Sequence, residues 1–337
     1  MVRLKDIALR AGVSIMTVSK ALRDAPDIST ATTARIKLLA QQMGYVPDST
    51  AQGLRSRTTR LFGLVISAMT NPIFARVVLA IEEQAYQLGY EVILVHTLGQ
   101  PDREANAIRR LLSRRVDGLF ISPVYRMEPT APIYQELLRR GTPTVILGHL
   151  ARFCSTFVNV ETDDIAASYA MTQHLLKLGH KRIALLSGPP VSPWSQERFE
   201  GFRHALREAD IEVDDKLVYH AGSTIEEGEK AALQMLNESC QATAVQAVND
   251  LVAIGAANVF LNQGLKIPQD LSIAGFGNVL VAEYYRVPLT TVRQPKHRMG
   301  TMAMEAMLKL LRGERPEPKR LPAEIVVRAS TGPPKAA

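Results

Sequence analysis

Cysteine is nearly absent: the 337 residues contain two, Cys154 and Cys240. That excludes a disulfide framework, and no CxxC pair occurs. No apolar run approaches the roughly 20 residues needed to cross a bilayer, which excludes a membrane-spanning helix. The opening MVRLKDIALRAG carries charges early and no apolar core, so no secretory signal is expected and a cytoplasmic location is. Catalytic signatures are missing as well. Gly275-Phe-Gly277 begins a GxG, but Leu280 stands where a third glycine would complete a dinucleotide fingerprint. Ser187 lies in no GxSxG, there is no P-loop, and the seven histidines form no HExxH. No enzyme, cofactor or metal site is expected.

What is present is length enough for two or three domains and a very uneven charge. The net charge is +7. Residues 1 to 60 hold ten Lys or Arg against four acids, so +6 of it lies there. A small basic module precedes a nearly neutral body, which points to a polyanionic partner at one end.

The basic segment carries the period of three short helices. Leu4, Ile7, Ala8 and Ala11 recur at helical spacing before Gly12. Ser14 suits the N-cap of a second helix from Ile15 to Leu22, with Val18, Ala21 and Leu22 inward. Ser29 or Thr30 caps a third, with Ile36, Leu39, Ala40 and Met43 inward and Gly44 as its stop. On the second helix Met16, Ser19, Lys20 and Arg23 share the outward face, where Lys20 could donate to guanine and Ile15 and Met16 could meet thymine methyls. Periodicity alone leaves Ile15 or Met16 open as core residues.

A short polar linker, 48 to 57, then joins two regimes. From Leu61 the pattern becomes strand-helix alternation. The apolar runs 61–67, 91–96, 118–122, 144–147, 182–187, 243–248 and 271–276 have buried-strand length, and Gly89, Gly141, Gly179 and Gly264 stop the helices between them. Such βα units imply parallel sheets covered on both faces, here as two doubly wound halves.

The string from Leu4 to Arg23, then Ile28-Ser29, Gln42-Met-Gly-Tyr-Val-Pro47 and Ala51-Gln-Gly-Leu54, closely resembles the lactose-repressor (LacI/GalR) family of bacterial transcriptional regulators. The resemblance implies an α/β protein with an N-terminal three-helix helix-turn-helix domain (1–47). A hinge helix or linker (48–60) joins it to a two-subdomain, periplasmic-binding-protein-like effector and dimerisation domain (61–330), and a disordered tail (331–337) ends the chain. It implies base contacts by Ile15, Met16 and Lys20, and phosphate contacts by Ser14, Thr17, Ser19, Ser29 and Thr32. Ile15-Met16 stand where the lactose repressor has Tyr-Gln, so the same operator is not implied. Ala51 and Leu54 would belong to a hinge helix that forms on DNA, with Leu54 wedged in the minor groove; a plain linker with Leu54 packed on the body is the alternative. The expected partners are a pseudo-palindromic double-stranded operator, a small-molecule effector and a second copy of the chain. No leucine heptad follows Arg328, so a dimer is expected and a tetramer is not.

For the body, Asn71-Pro-Ile-Phe-Ala75, Leu178-Gly-His-Lys-Arg-Ile-Ala184 and Pro288-Leu-Thr-Thr-Val292 sit where the family has similar motifs. Crossovers between its halves are expected near 161, 249 and 277–290. Ligands of open α/β sheets bind at strand C-terminal ends. The resemblance places Arg198 as the effector's grip, removable without unfolding the chain, with Asn249 and Asp250 as polar wall and Phe74, Trp194 and Phe276 as aromatic candidates. Relatives often carry an effector-binding Asp where this chain has Gly277. Asp250 as a helix cap, Arg198 as a surface ion pair, Trp194 as a structural residue and His149 as incidental stay open as alternatives. The function implied is a repressor whose operator affinity answers to a sugar or sugar acid. The alternatives are a small-molecule-binding protein or a Rossmann-like enzyme without a DNA role.

Overall fold

A computed structural model describes residues 2–46 and 58–335. The chain divides into two compact units, residues 1–59 and 60–337.

The described residues of the first unit form three helices: α1 (Leu4–Ala11), α2 (Ile15–Ala21) and α3 (Thr30–Gln42). Each start has a local cause. The Asp6 carboxylate accepts the Arg3 N–H at 2.8 Å, and the hydroxyls of Ser14 and Ser29 accept the backbone N–H of Thr17 and Thr32. Gly12 ends α1 at φ +66°, a conformation that costs other residues about 1 kcal/mol or more. Ile7, Ala8, Ala11, Val18, Ala21, Ile36 and Ala40 close a small core, with Leu22, Leu39 and Met43 packed half-buried at its edge.

The second unit holds two six-stranded sheets. The first contains β1 (Leu61–Ile66), β2 (Glu91–His96), β3 (Gly118–Ile121), β4 (Thr144–Leu147), β5 (Val158–Thr162) and β11 (Lys319–Leu321), in the order β11-β5-β4-β3-β1-β2 and all parallel. Helices α4 (Ile73–Gln87), α5 (Pro101–Ser113), α6 (Pro132–Arg140) and α12 (Lys296–Leu311) cover it. The second contains β6 (Ile183–Ser187), β7 (Val218–His220), β8 (Ala244–Ala247), β9 (Ser272–Gly277), β10 (Thr290–Arg293) and β12 (Glu324–Val326), ordered β12-β10-β9-β8-β6-β7. Only β12 runs antiparallel there. Its helices are α7 (Asp164–Lys177), α8 (Pro193–Glu208), α9 (Ile225–Asn237), α10 (Asp250–Asn262) and the short α11 (Leu280–Tyr284).

Burial on both faces explains why the strands are continuous apolar runs. In β1, Phe62, Leu64 and Ile66 pack under α4 and α12, while Val65 points into the other core with Ile108 of α5 and Tyr134 of α6. Close helix approach adds a constraint: a methyl at Gly255 of α10 would collide with the Ile225 carbonyl at the start of α9.

Three connections cross between the sheets: one at an expected place, one a few residues past another, and one unexpected. The first follows β5, where Thr162 leads into α7; the others are Gln294-Pro295, between β10 and α12, and Pro322-Ala323, between β11 and β12. The expected crossing near 249 is corrected, and the one expected near 277–290 falls just beyond that range, at 294–295. Asn249 joins β8 to α10 and 278–289 joins β9 to β10, all within the second sheet. Glycine, asparagine and proline in those loops mark turns, and a turn does not disclose which sheet receives the next strand.

The expected disordered tail is likewise corrected for 331–335. The Thr331 hydroxyl meets His174 Nε2 at 3.0 Å and the Thr290 hydroxyl at 2.8 Å. The Gly332 carbonyl accepts from His180 Nε2 at 2.8 Å and its N–H donates to the Ser272 hydroxyl at 3.0 Å. Hydrogen bonds with the side chains of His174, His180, Ser272 and Thr290 hold this segment, which apolar content alone does not foretell.

Candidate functional site

In the first unit the side chains expected at DNA sit on an open face. Ile15 and Met16 are 52% and 56% exposed, which settles the alternative that they are core. Lys20 reaches across to an ion pair with Asp27, and Arg23 Nε donates to the Ser19 carbonyl at 2.8 Å. The Lys20 contact pulls the Asp27 carboxyl below its usual range. Thr17 shares a 2.9 Å hydrogen bond with Ser14, and Thr32 one of 2.9 Å with Ser29. These four hydroxyls therefore cluster at two helix N-termini, where backbone N–H groups and the helix dipole favour anions. Ala51 and Leu54 lie outside the described residues.

In the second unit a cavity of about 400 Å³ lies between the two sheets, at the C-terminal ends of the strands. Phe74, Trp194, Arg198, Asn249, Asp250 and Phe276 all line it. Ser67, Ser122 and Gly148-His149 follow β1, β3 and β4, and Asn249 and Gln294 follow β8 and β10. Much of the wall is apolar, with Val77, Val124, Leu147, Val279 and Met299 beside the aromatic rings.

Arg198 is the best-held side chain in the cavity and is no surface ion pair. Its Nε and Nη2 lie 2.9 and 2.8 Å from Asp164 Oδ2, and Nη1 donates to the Val248 carbonyl at 2.6 Å. Its guanidinium stands 3.6 Å from the centroid of the Phe276 ring and 4.9 Å from that of Trp194. Trp194 thus packs against the Arg198 guanidinium. Asp164 Oδ1 accepts from the Thr162 hydroxyl, which in turn accepts from Gln294 Nε2 at 2.9 Å.

Asn249, and not Asp250, caps α10: its side-chain oxygen accepts the Val252 N–H at 2.8 Å, while Nδ2 donates to the Ser223 carbonyl. Asp250 instead holds the turn after β9. Its carboxylate accepts from the Thr291 hydroxyl and from Val279 N–H at 2.8 Å. Burial pushes its pKa up, opposed by those two hydrogen bonds and by the charges of Lys296 and Arg328. Lys296, from the other half, donates to the carbonyls of Gly277 and Asn278, and burial pulls it down to about 8 against the favourable charge of Asp250.

A charged bridge spans the cleft. His149 Nε2, beyond β4, lies 3.1 Å from Glu197 Oε2 on α8, and Glu197 also accepts from Arg320 of β11 at 2.7 and 3.1 Å. Burial works against the His149 cation, but the Glu197 hydrogen bond and the charges of Asp164, Glu197 and Glu161 outweigh it and raise the pKa. Glu197 feels burial upward and is still lowered by His149 and Arg320. Asp164, Gln294, Lys296, Glu197 and Arg320 were missed by sequence reasoning. Asp164 alone left a signal, as an acid in the first turn of a helix.

A helix-turn-helix head with an open basic face and a two-lobed body enclosing a ligand-sized cavity define a DNA-binding regulator of transcription. Residues 3–48 match the family of bacterial regulatory proteins called the lacI family, and residues 172–331 match the periplasmic binding protein-like domain. The chain is 32% identical over 330 residues to the transcriptional regulator DegA of Bacillus subtilis, covering 97% of both. It is 30% identical over 330 residues to the repressor CytR of Escherichia coli K12, covering 97% of this chain and 96% of CytR. Among solved structures it superimposes on the lac repressor dimer bound to operator and the anti-inducer ONPF with a TM-score of 0.88, at 27% identity, covering 98% of this chain and 99% of that one. A complex of the regulator CelR with cellobiose gives 0.73 at 29% identity, covering 98% and 100%. The chain belongs to the lacI family of bacterial transcriptional regulators. No helix among the described residues is long and apolar enough to cross a membrane.

Proposed function

We propose that this protein is a cytoplasmic, homodimeric repressor that reads a pseudo-palindromic operator and is controlled by a small polar effector, a sugar or sugar acid, held in the cavity between the sheets. It acts by binding and carries out no chemistry. The observation that carries this reading is the cavity itself, set at three inter-sheet crossings and gripped by Arg198 and Asp164. A ligand there touches both halves at once, so its binding energy is available to shift their relative angle; a coupling of about 1–3 kcal/mol changes operator affinity roughly 5- to 150-fold. Ile15, Met16 and Lys20 read bases, with Arg23 beside them on the same face. Ser14, Thr17, Ser19, Ser29 and Thr32 fix register on phosphates, while Ala51 and Leu54 form the hinge contact. Two heads related by a two-fold axis match two half-sites.

The test separates the two units. Removing residues 1–59 and measuring DNA binding and metabolite binding independently is expected to abolish the first and keep the second. Retained operator binding by the remainder would overturn the assignment.

A further inference from the structure

Every charge that reaches the cavity already has its counter-charge in the protein. The acidic and basic residues lining it are Arg198, Lys296, Asp164, Asp250 and His149, and each is more than nine-tenths buried. Arg198 and Asp164 are in contact at 2.8 Å. Lys296 and Asp250 hold the same turn, one through the carbonyls of Gly277 and Asn278 and the other through Val279 N–H, and each stabilises the other's charge. His149 faces Glu197 of α8 at 3.1 Å and Asp164 at 4.0 Å. The two cations and two carboxylates sum to zero, and beyond them Glu197 is shared by His149 and Arg320, with Glu161 and Asp163 also paired to Arg320.

Gln294 adds a second constraint. The Thr162 hydroxyl gives its proton to Asp164, so it can only accept from Gln294, which fixes the amide with Nε2 toward Thr162. The opposite atom, Oε1, is buried with no partner among the described residues. A buried acceptor that the protein leaves unpaired is completed by a donor that arrives from outside.

We propose that the cavity selects an uncharged ligand that brings an O–H or N–H donor to Gln294 and lays an apolar face on the wall of Phe74 and Val77, and that it rejects the acid and phosphate forms of the same ligand. This rests on the cavity being the effector site, and it narrows a sugar or sugar acid to the neutral member. A carboxylate or phosphate entering here gives up water and finds Arg198 already paired with Asp164 and Lys296 already held by the Gly277 and Asn278 carbonyls, while Asp164 and Asp250 repel it. Arg198 acts on the ligand through its shape and its remaining N–H groups, with its charge already balanced by Asp164.

Calorimetry on the full-length protein with matched pairs tests this: D-glucose against D-glucuronate, cellobiose against cellobionate, D-ribose against D-ribose 5-phosphate, adenosine against adenosine 5′-monophosphate. At least one neutral compound is expected to bind, with its charged partner weaker by about 100-fold or more. A charged compound binding as tightly as its neutral partner overturns the inference and leaves the effector reading standing. No binding by any of the eight overturns the effector reading, and this inference with it. The cause is tested by Asp164→Asn, which leaves the Arg198 charge unbalanced and is expected to bring the charged partner within about tenfold of the neutral one. If circular dichroism shows that variant unfolded, Asp250→Asn makes the same test through Lys296. Undiminished rejection in a folded variant would show that charge balance is not the cause.

Discussion

Arg198→Ala is the substitution for which structure and resemblance forecast different results. As the effector's grip alone, Arg198 could be removed with loss of response and no loss of fold. In the structure its removal leaves the Asp164 carboxylate fully buried, with His149 Nε2 4.0 Å away, and strips the Val248 carbonyl of its 2.6 Å donor. Breaking one side of a buried ion pair costs about 3–5 kcal/mol. An unsatisfied buried carbonyl adds about 1 kcal/mol. With a urea m-value of about 3 kcal/mol/M, the unfolding midpoint should fall by roughly 1 M or more. Trp194 is the only tryptophan in the chain and its ring lies 4.9 Å from the Arg198 guanidinium, so its fluorescence follows this site, with circular dichroism as the global probe. Adding Asp164→Ala should restore about 2–3 kcal/mol, because the stranded charge is then gone. A loss below about 1 kcal/mol for Arg198→Ala, or no recovery in the double variant, would refute the reasoning.

Other substitutions test the remaining parts. Folding raises the His149 pKa above its ordinary 6.5, so the stability it contributes is full below about 6.5 and is lost as pH rises through the higher folded value. The melting-temperature difference between the unmodified protein and His149→Gln should therefore shrink from pH 6 to pH 8.5, and a difference that widens would count against the bridge. His174 and His180 are depressed by burial and act in the opposite sense, which is why the difference and not the raw profile is read. Asp27→Ala frees Lys20 and should tighten operator binding by up to about fivefold, whereas Lys20→Ala should weaken it by about 1–3 kcal/mol and relax preference at one base pair; fluorescence anisotropy with equal effects on all sequences would make Lys20 a phosphate contact. Gly255→Ala should lower stability by about 1–3 kcal/mol in thermal denaturation, since its methyl meets the Ile225 carbonyl; an unchanged melting temperature would dispose of the close α9–α10 packing.

The head was legible almost residue by residue. Caps at Ser14 and Ser29, stops at Gly12 and Gly44, and the 3.6-residue period are local signals, and local physics decides a three-helix unit of this size. Seven strands were legible because they are apolar on both faces. β5, β7, β10, β11 and β12 were not, being three to five residues long and mixed in polarity, with edges completed only by pairing to distant segments. The six cavity residues inferred at strand ends do line one space.

Their chemistry was another matter. Sequence alone determined that a basic helical head precedes a doubly wound body, because helix caps, turn residues and hydrophobic period act over a few residues. Only the tertiary structure decided where the chain crosses between sheets and which charges are already spent. Asp164 meets Arg198 across 34 residues, His149 meets Glu197 across 48, and Lys296 reaches Gly277 from the other half of the body. Such pairings depend on which strands lie side by side, and hydrogen-bonded register between remote segments leaves no periodic trace in the order of residues.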